Sequence, residues 1–342
     1  MHRTLVTIKM KLIQLVILTL YLQSSTAQCV FEYEQEIKNT SSLNFSEVNF
    51  INENDNIELS GTLIYPKNGY EKVVIIVPGS GKDTRNSHFV LAENFLKNNI
   101  AVYRFDERGI GKSEGKYDYT ATTLTNDLFF AYQKLIYHPE LSNKKIGVLG
   151  HSLGGFASIG AYGKGCNFDF LIQMSTPVQK NGAFIKYQAL TNSDGFYTVK
   201  NKTTDEIIAF IDALSKMVVL NDSYKTIRKK GKRIMKAMGF KKALHLVINP
   251  LQVDLIKQNH ETTYKNCVVP ILYIIGSEDK IVSSNNETET LKNMNNTNIE
   301  IKIIDNVNHW LSNKIGPKKM DKSLYQMNSV ALSEIINWSL KQ

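Results

Sequence analysis

Residues 149–155, L-G-H-S-L-G-G, decide the predicted fold of this chain. The apolar run K-K-I-G-V-L comes before them and F-A-S-I-G-A-Y comes after, so the pattern predicts a strand, a sharp turn and a helix. Gly150 and Gly154 flank Ser152 in the spacing G-x-S-x-G, and they lack the Cβ atoms that would collide in such a turn. We therefore expect Ser152 to stand in a strained turn at the amino end of a helix, where backbone N–H groups favour negative charge. A glycine-rich turn that only saves space in packing is the alternative.

Two more polar side chains complete a candidate catalytic set. A serine hydroxyl is a weak nucleophile at neutral pH, so it needs a base, and the base needs an orienting acid. Asp279 follows the strand pattern L-Y-I-I-G-S-E, and His309 follows I-E-I-K-I-I-D-N-V-N. If these strands and the strand before Ser152 run parallel in one sheet, both residues lie at the same edge of that sheet as Ser152. Glu278 is an alternative acid, whereas Asp305 is too close to His309 in sequence to be its partner.

Other histidines are predicted to have no catalytic role. A surface position suits each of them better, and the ring next to Ser152 is expected to point away from the hydroxyl. These residues are His88, His138, His151, His245 and His260. The few histidines and the three cysteines show no metal-ligand spacing, so neither a metal ion nor an organic cofactor is expected.

An oxyanion hole would need two backbone donors near Ser152. The N–H of Leu153, the residue after the nucleophile, is the first candidate. The second is the N–H of Ser80, in the loop V-P-G-S-G-K-D-T-R-N after a predicted strand. Gly79 and Gly81 allow the backbone of this loop to approach a substrate closely.

The chain as a whole predicts an α/β architecture. Short continuous apolar runs alternate with helix-length segments, as expected for a mostly parallel central sheet flanked by helices. Alternating residues over 46–65 predict an antiparallel hairpin before it. Residues 178–263 interrupt the alternation and are predicted to form a helical lid insertion between core segments 28–177 and 264–342, and a final helix is expected over 324–340.

The amino-terminal residues have the pattern of a secretory signal peptide. Arg3, Lys9 and Lys11 precede an apolar stretch over 12–22 and the small residues S-S-T-A, which predicts cleavage after Ala27 and a secreted or periplasmic protein. An uncleaved membrane anchor is less favoured because the apolar stretch is about half of the ~20 residues that a spanning helix needs. A lipid attached to Cys29 is disfavoured by the residues before it.

Charge is concentrated in one segment of the predicted insertion. The chain has 342 residues and a formal net charge of +9, which falls to +6 without the three basic residues of 1–27, so a nucleic-acid partner is not indicated. Residues 216–242 alone hold ten basic residues and Asp222, a sum of +9. A surface that attracts anionic substrates or membranes is one interpretation. The preferred one is the solvated face of a helix whose apolar side covers the active site.

The cysteines allow two interpretations. Cys166 and Cys267 each precede a predicted strand at the same end of the sheet, so a disulfide between them is compatible with the sequence. Two unbridged buried thiols are equally compatible, because connectivity cannot be deduced from sequence.

Together these features resemble the α/β-hydrolase superfamily, and most closely its secreted bacterial carboxylesterases and serine-aminopeptidase-like members. Residues 105–115, F-D-E-R-G-I-G-K-S-E-G, are similar to their D-x-R-G-x-G-x-S loop, which implies that Asp106 and Arg108 organise this loop. A solvated acidic-basic turn is the alternative. The resemblance implies cleavage of a small-molecule ester through an acyl-enzyme on Ser152, with His309 as the base and Asp279 as its orienting acid.

Three positions depart from the pattern of these relatives. Pro78 stands where many have histidine, Lys82 where this branch often has proline, and Leu153 where close relatives often have glutamate. Each leaves the backbone donors intact but changes the surroundings of the substrate. A serine peptidase or acyl-peptide hydrolase is the alternative activity, and a non-catalytic binding module with the hydrolase fold is the alternative of another class.

Overall fold

An eight-stranded sheet organises the molecule, which this computed structural model describes over residues 31–38, 40–118, 120–313 and 321–342. The predicted signal peptide and Cys29 lie outside the described residues. The strands follow the order β1-β4-β6-β5-β7-β8-β9-β10 across the sheet. Their bounds are β1 Leu43–Glu47, β4 Gly61–Pro66, β5 Lys72–Val77, β6 Ile100–Phe105, β7 Lys145–His151, β8 Phe170–Met174, β9 Ile271–Gly276 and β10 Ile299–Ile304.

Six neighbouring strands of this sheet, from β6 to β10, run parallel. Every residue of β6, β8 and β9 is buried, which explains why their sequences read as continuous apolar runs. Strands β1 and β4 add an antiparallel edge. Because the parallel strands point the same way, the residues that follow β5, β7, β9 and β10 meet at one edge of the sheet. The predicted fold class is confirmed.

A separate two-stranded ribbon lies within the predicted hairpin region. Strands β2 Phe50–Asn52 and β3 Ile57–Leu59 pair antiparallel, with Phe50 opposite Leu59. Phe50 and Leu59 are buried while Ile51 and Glu58 between them are exposed, the alternation expected of a strand that packs one face on a core.

Helices cover both faces of the sheet. Helices α1 Phe89–Lys97 and α10 Ser329–Lys341 bury Phe95 and Ile335 against one face. Helices α2 Ala121–Leu135 and α3 Leu153–Gly163 bury Leu128 and Ile159 in the core on the other face. Among the described residues, no helix has the length and apolar character needed to cross a bilayer.

Five helices lie between β8 and β9, in the region predicted as an insertion. They are α4 Ala183–Thr191, α5 Thr204–Val219, α6 Tyr224–Ala237, α7 Pro250–Lys257 and α8 Glu261–Asn266. Local sequence determines where α5 begins: the Thr203 hydroxyl caps the N–H of Glu206 while the Glu206 carboxylate accepts the N–H of Thr203. At the start of α6 the Ser223 hydroxyl accepts the N–H of Thr226.

The last helix begins later than predicted. The expected start at residue 324 falls instead in a short 3₁₀ turn, Lys322–Tyr325, and the α-helix starts at Ser329. The physical reason is Asn328, whose side chain accepts hydrogen bonds from the N–H groups of Val330 and Ala331 and so caps the helix at that point.

Candidate active site

Ser152 occupies a strained turn between β7 and α3. Its backbone has φ 53° and ψ −112°, a region that costs a non-glycine residue on the order of 1–3 kcal/mol. The Ser152 N–H donates to the carbonyl of Met174 at 2.8 Å, which holds the turn against the end of β8. A Cβ added to Gly154 would lie 2.2 Å from the Val77 carbonyl oxygen, and one added to Gly150 would lie 2.3 Å from the Gly154 oxygen. The two glycines therefore allow backbone segments to approach more closely than any side chain permits.

Asp279 and His309 form a buried pair at the same edge of the sheet. His309 Nδ1 lies 2.7 Å from Asp279 Oδ2, and both side chains are at least nine-tenths buried. The other carboxylate oxygen of Asp279 accepts the N–H groups of Ile281 and Val282, both at 2.8 Å. Three hydrogen bonds thus fix the Asp279 carboxylate and direct one oxygen at the imidazole.

The alternative acids lie elsewhere. Glu278 is exposed and pairs with Lys280 at 3.1 Å, so it points to solvent beside its neighbour Asp279. Asp305 is exposed as well. The structure brings only Asp279, of the three weighed acids, against the His309 ring.

Ser152 and His309 line one cavity of ≈ 200 Å³. Within the described ranges, no hydrogen bond joins their side chains in this state. Such bonds commonly shorten to full strength only when substrate is bound, so the shared cavity is the relevant relation.

The candidate oxyanion loop also reaches this cavity. Ser80 and Leu153 line it, and a Cβ added to Gly79 would lie 3.3 Å from Ser152 Cβ, so the loop backbone passes close to the serine. The N–H of Leu153 is the first of α3, where helix geometry supplies no intrahelical acceptor. The hydroxyl groups of Tyr33 and Tyr117 donate to the carbonyls of Lys82 and Gly81 and fix the far side of the loop.

The helices between β8 and β9, in the region predicted as an insertion, supply one wall of the cavity. Phe184 and Gln188 of α4, together with Leu251, Gln252 and Leu255 of α7, line it. The Tyr187 hydroxyl donates to the Asp279 carbonyl at 2.8 Å, which ties α4 to the catalytic edge. The basic helix α6 contributes no residue to the lining of this cavity. The interpretation that its apolar side covers the active site is therefore wrong. The apolar side of α6 packs against α5 and the turn Leu244–Leu246 instead.

Two histidines that were predicted at the surface are buried beside the site. His88 Nε2 lies 3.1 Å from His151 Nδ1, and His151 Nε2 lies 3.1 Å from the backbone oxygen of His309. Burial, reinforced by the charge of Arg104, lowers the pKa of His88 to about 3, and burial holds the pKa of His151 well below its usual range. The surface assignment is wrong because His151 is the last residue of a strand covered on both faces.

The hydrogens of these neutral rings have one consistent arrangement. The His309 carbonyl oxygen can only accept, so His151 carries its hydrogen on Nε2 and accepts at Nδ1 from Nε2–H of His88. His88 then accepts at Nδ1 from the Ser87 hydroxyl, 3.1 Å away. This series of hydrogen bonds through Ser87 and His88 fixes the ring of His151. His151, the residue before the candidate nucleophile, in turn holds the backbone of the candidate base His309.

The three other histidines of the described ranges divide by exposure. His245 is exposed, as predicted, whereas His138 and His260 are only partly exposed. His260 directly precedes α8, its ring centroid lies 5.8 Å from that of Phe156, and burial lowers its pKa to about 4.

A buried carboxyl that sequence reasoning missed also lines the cavity. Asp83 is 4% exposed and accepts the Tyr325 hydroxyl at 2.8 Å. Burial, opposed by the Tyr325 hydrogen bond and reinforced by the charge of Glu34, raises the pKa of Asp83 to about 7. Its position in the loop after β5, four residues beyond Gly79, was the only available signal.

In the loop after β6, the side chains of Asp106 and Arg108 are buried and ion-paired rather than solvated. Asp106 accepts two hydrogen bonds from the Arg85 guanidinium, at 3.1 and 2.9 Å. Arg108 donates to both oxygens of Asp127 in α2, at 2.9 and 2.6 Å, and to Asp55 at 2.8 Å. These pairs organise the loop, as the resemblance implied.

Both described cysteines are free and buried. Burial raises the pKa of the Cys166 thiol to about 12, so this thiol is unreactive in the folded chain. No group of three or more potential metal ligands occurs among the described residues.

Comparisons with known proteins agree with this fold. The family model described as serine aminopeptidase, S33, matches residues 69–203. No curated protein matches the chain. Among solved structures, the Pyrococcus furiosus esterase Pf2001 is 19% identical with a TM-score of 0.58, over 90% of this chain and 95% of that one.

Two other solved structures are similar. Est1E from Butyrivibrio proteoclasticus, with ferulic acid bound, is 18% identical with a TM-score of 0.54, over 86% of this chain and 98% of that one. The α/β hydrolase GrgF from a Penicillium species is 15% identical with a TM-score of 0.53, over 87% and 97%. At these identities the likeness shows the fold alone, and the α/β-hydrolase fold that the resemblance implied is confirmed.

Proposed function

We propose that this chain, which has the α/β-hydrolase fold, is a serine hydrolase that cleaves carboxylic esters through an acyl-enzyme on Ser152. The observation that carries the proposal is the 2.7 Å contact between His309 Nδ1 and Asp279 Oδ2, at a cavity that Ser152 also lines. The similarity to esterases and the strained serine turn support the same reaction.

Each residue has one task in this reaction. The Ser152 oxygen attacks the acyl carbon while Nε2 of His309 takes the hydroxyl proton and then passes it to the departing alcohol. A water molecule repeats the sequence: it gives a proton to His309, attacks the acyl carbon, and releases the acid as the proton returns to Ser152. Asp279 keeps Nδ1 of His309 protonated and stabilises the imidazolium that forms twice. The N–H groups of Ser80 and Leu153 would bind the negative oxygen of each tetrahedral intermediate.

The cavity wall favours substrates with a largely apolar acyl or alcohol part. Its side chains include Phe156, Phe184, Leu251, Leu255 and Trp310. At ≈ 200 Å³ the space suits a small ester.

A serine aminopeptidase activity is the second candidate, and Asp83 is the observation that favours it. An aminopeptidase must hold the substrate's ammonium group, and a buried carboxyl at the cavity wall can accept hydrogen bonds from it. The family model matching residues 69–203 carries the same description. We rank it second because Asp83 is already bonded to Tyr325 and shares its surroundings with Glu34.

Hydrolysis of p-nitrophenyl esters and of aminoacyl p-nitroanilides by the same preparation separates the two activities. We expect ester turnover to exceed anilide turnover, and Ser152→Ala to lower kcat roughly 10⁴-fold or more. A phosphonate probe should add its mass to the peptide that contains Ser152. Anilide turnover above ester turnover would establish the aminopeptidase instead, and undiminished activity of Ser152→Ala would exclude the acyl-enzyme.

Two adjacent carboxylates give a matched control for the role of Asp279. Asp279→Asn should lower kcat about 10⁴-fold, because an amide cannot hold the productive tautomer of His309. Glu278→Gln, one residue earlier and exposed, should leave kcat unchanged. Equal losses in the two variants would show that the pair does not act as proposed.

Secretion is part of the same proposal. A segment with the charge and apolar pattern of residues 1–27 would direct export and then be removed. Amino-terminal sequencing of the protein recovered outside the cytoplasm should begin at Gln28; an intact Met1 there would exclude cleavage.

A further inference from the structure

All of the net positive charge of the chain lies in one part of the predicted insertion. Residues 216–242 hold ten basic residues and Asp222, a sum of +9, which equals the formal net charge of the full chain. The other 315 residues therefore carry as many acidic as basic groups. A field this uneven orients the molecule with respect to any charged surface.

Helix α6 presents this charge outward. Arg228 and Lys229 come three and four residues after Lys225, and Lys232 and Lys236 continue the same spacing from Lys229. This spacing places all five along one side of the helix, and all five are exposed. The opposite side is anchored: Ile227 and Gly231 are buried, and Ile234 and Met235 pack on the core. We call the five exposed residues the cationic face.

The cationic face has no acidic partner in the described part of the chain. The two acids that precede this face in sequence pair with other lysines: Asp222 with Lys257 at 3.4 Å and Asp212 with Lys216 at 2.6 Å. The first turn of α6 also lacks an acidic residue. The charge of this face is therefore available to a molecule outside the chain.

Large apolar side chains lie exposed at the beginning of the same helix. Leu220 is 81% exposed, and its neighbours Val219 and Tyr224 are 41% and 38% exposed. Exposing such side chains together is unfavourable in water, and a row of cations beside them is the composition of helices that lie at a lipid interface.

We propose that the cationic face and Leu220 dock the protein on an anionic lipid bilayer. Each lysine or arginine near such a surface contributes about 1 kcal/mol, so five contribute enough for reversible attachment. Leu220 would enter the boundary between headgroups and acyl chains. An aliphatic side chain has no equivalent role on a nucleic-acid backbone, and this favours lipid over a phosphate polymer.

Vesicle sedimentation tests the proposal without reference to catalysis. The full chain is mixed with phosphatidylcholine vesicles that contain or lack phosphatidylglycerol. We expect binding to the anionic vesicles only, and binding should weaken as salt is added. Because no turnover is measured, the result is independent of the proposed esterase reaction.

Charge variants identify the surface. Replacing Lys225, Lys229, Lys232 and Lys236 by glutamine should lower the partition coefficient by about fivefold per charge removed. The control variant replaces Lys97, Lys134, Lys292 and Lys341, which are exposed lysines in four other helices and change the net charge equally. It should bind like the unchanged chain. Any contribution of residues 1–30 is the same in every variant.

Leu220→Ser tests the apolar part and should remove the share of binding that survives high salt. The proposal is overturned if the two charge variants bind equally well, if vesicles without anionic lipid bind as strongly, or if the chain binds single-stranded RNA but no vesicle.

Discussion

His151 connects the two halves of the candidate catalytic site at the scale of a single side chain. It precedes Ser152, and its Nε2–H reaches the carbonyl of His309 at 3.1 Å. In His151→Leu that carbonyl and Nε2–H of His88 would remain buried without partners, at about 1–3 kcal/mol each. His151→Gln retains a donor at the end of a side chain of similar length. We therefore expect Leu to lower kcat more than tenfold and Gln to restore most of it.

The comparison of kcat with stability distinguishes positioning from mere packing. Both variants lose the bond from His88, so both should lose some free energy of unfolding. Only the leucine variant should also shift the pH dependence of kcat/KM, because only it frees the backbone of the base. Equal kcat values for Leu and Gln would refute the positioning role.

The sequence predicts the location of a single side chain well when that residue comes directly after a predicted strand. The predicted locations of Asp279 and His309 follow from strands β9 and β10, whose carboxyl ends define an edge. The His88–His151 contact joins residues 63 apart, and no local pattern reports such a contact. Asp83 was missed for a related reason: a loop carries no periodicity that distinguishes a buried carboxyl from a solvated one.

Among the elements, α3 shows how tightly the serine turn is packed. Gly154 and Gly163 lie in the same helix in opposite surroundings. A Cβ at Gly154 would meet the Val77 carbonyl oxygen at 2.2 Å, whereas one at Gly163 would touch only the Thr263 side chain, at ordinary contact distances from 3.4 Å. Gly154→Ala should cost about 1–3 kcal/mol because backbone cannot move aside as a side chain can. Gly163→Ala should be neutral or slightly stabilising, since alanine is the better helix former.

Urea denaturation of both variants measures this difference. The m-values should stay equal, so that the midpoints report stability directly. The esterase activity of Gly154→Ala should fall as well, because the collision displaces the residue two positions after Ser152. A Gly154→Ala chain as stable as the Gly163→Ala chain would show that the turn has room to relax.

Element boundaries were predicted less well than element types. The continuous apolar runs predict the strands correctly because a strand that is buried on both faces needs apolar residues at successive positions. The start of α10 depends on one hydrogen-bonding side chain, Asn328, and this outweighs the apolar periodicity that extends back to Leu324. The limits 178 and 263 of the lid insertion stay a prediction.

At the scale of the whole molecule, buried carboxyls should make stability depend on pH. Glu287 of α9 Ser284–Asn293 accepts the N–H groups of Val178 and Gln179, at 2.8 and 2.9 Å, and so joins the end of the sheet to the start of the insertion. Burial raises its pKa to about 7, although these two hydrogen bonds act in the opposite direction. The pKa of Asp83 is raised in the same direction and to a similar value.

The sign follows from the raised pKa. Below the unfolded-state pKa, near 4.5 for Glu287, the carboxyl holds its proton in both the folded and the unfolded state. The stabilising contribution of the neutral carboxyl to the folded state is then complete. As the pH rises toward about 7 the unfolded chain ionises first, so the contribution is progressively lost, by roughly 3 kcal/mol in all.

Glu287→Gln still accepts both N–H groups but cannot ionise. Between about pH 5 and about pH 8 its free energy of unfolding should therefore decrease less than that of the unchanged chain. Glu289→Gln, an exposed carboxylate two residues away in α9, is the control and should follow the unchanged chain. Urea denaturation across this pH range gives the free energy of unfolding of each variant as a function of pH. If these two curves are parallel, Glu287 is not the source of the pH dependence.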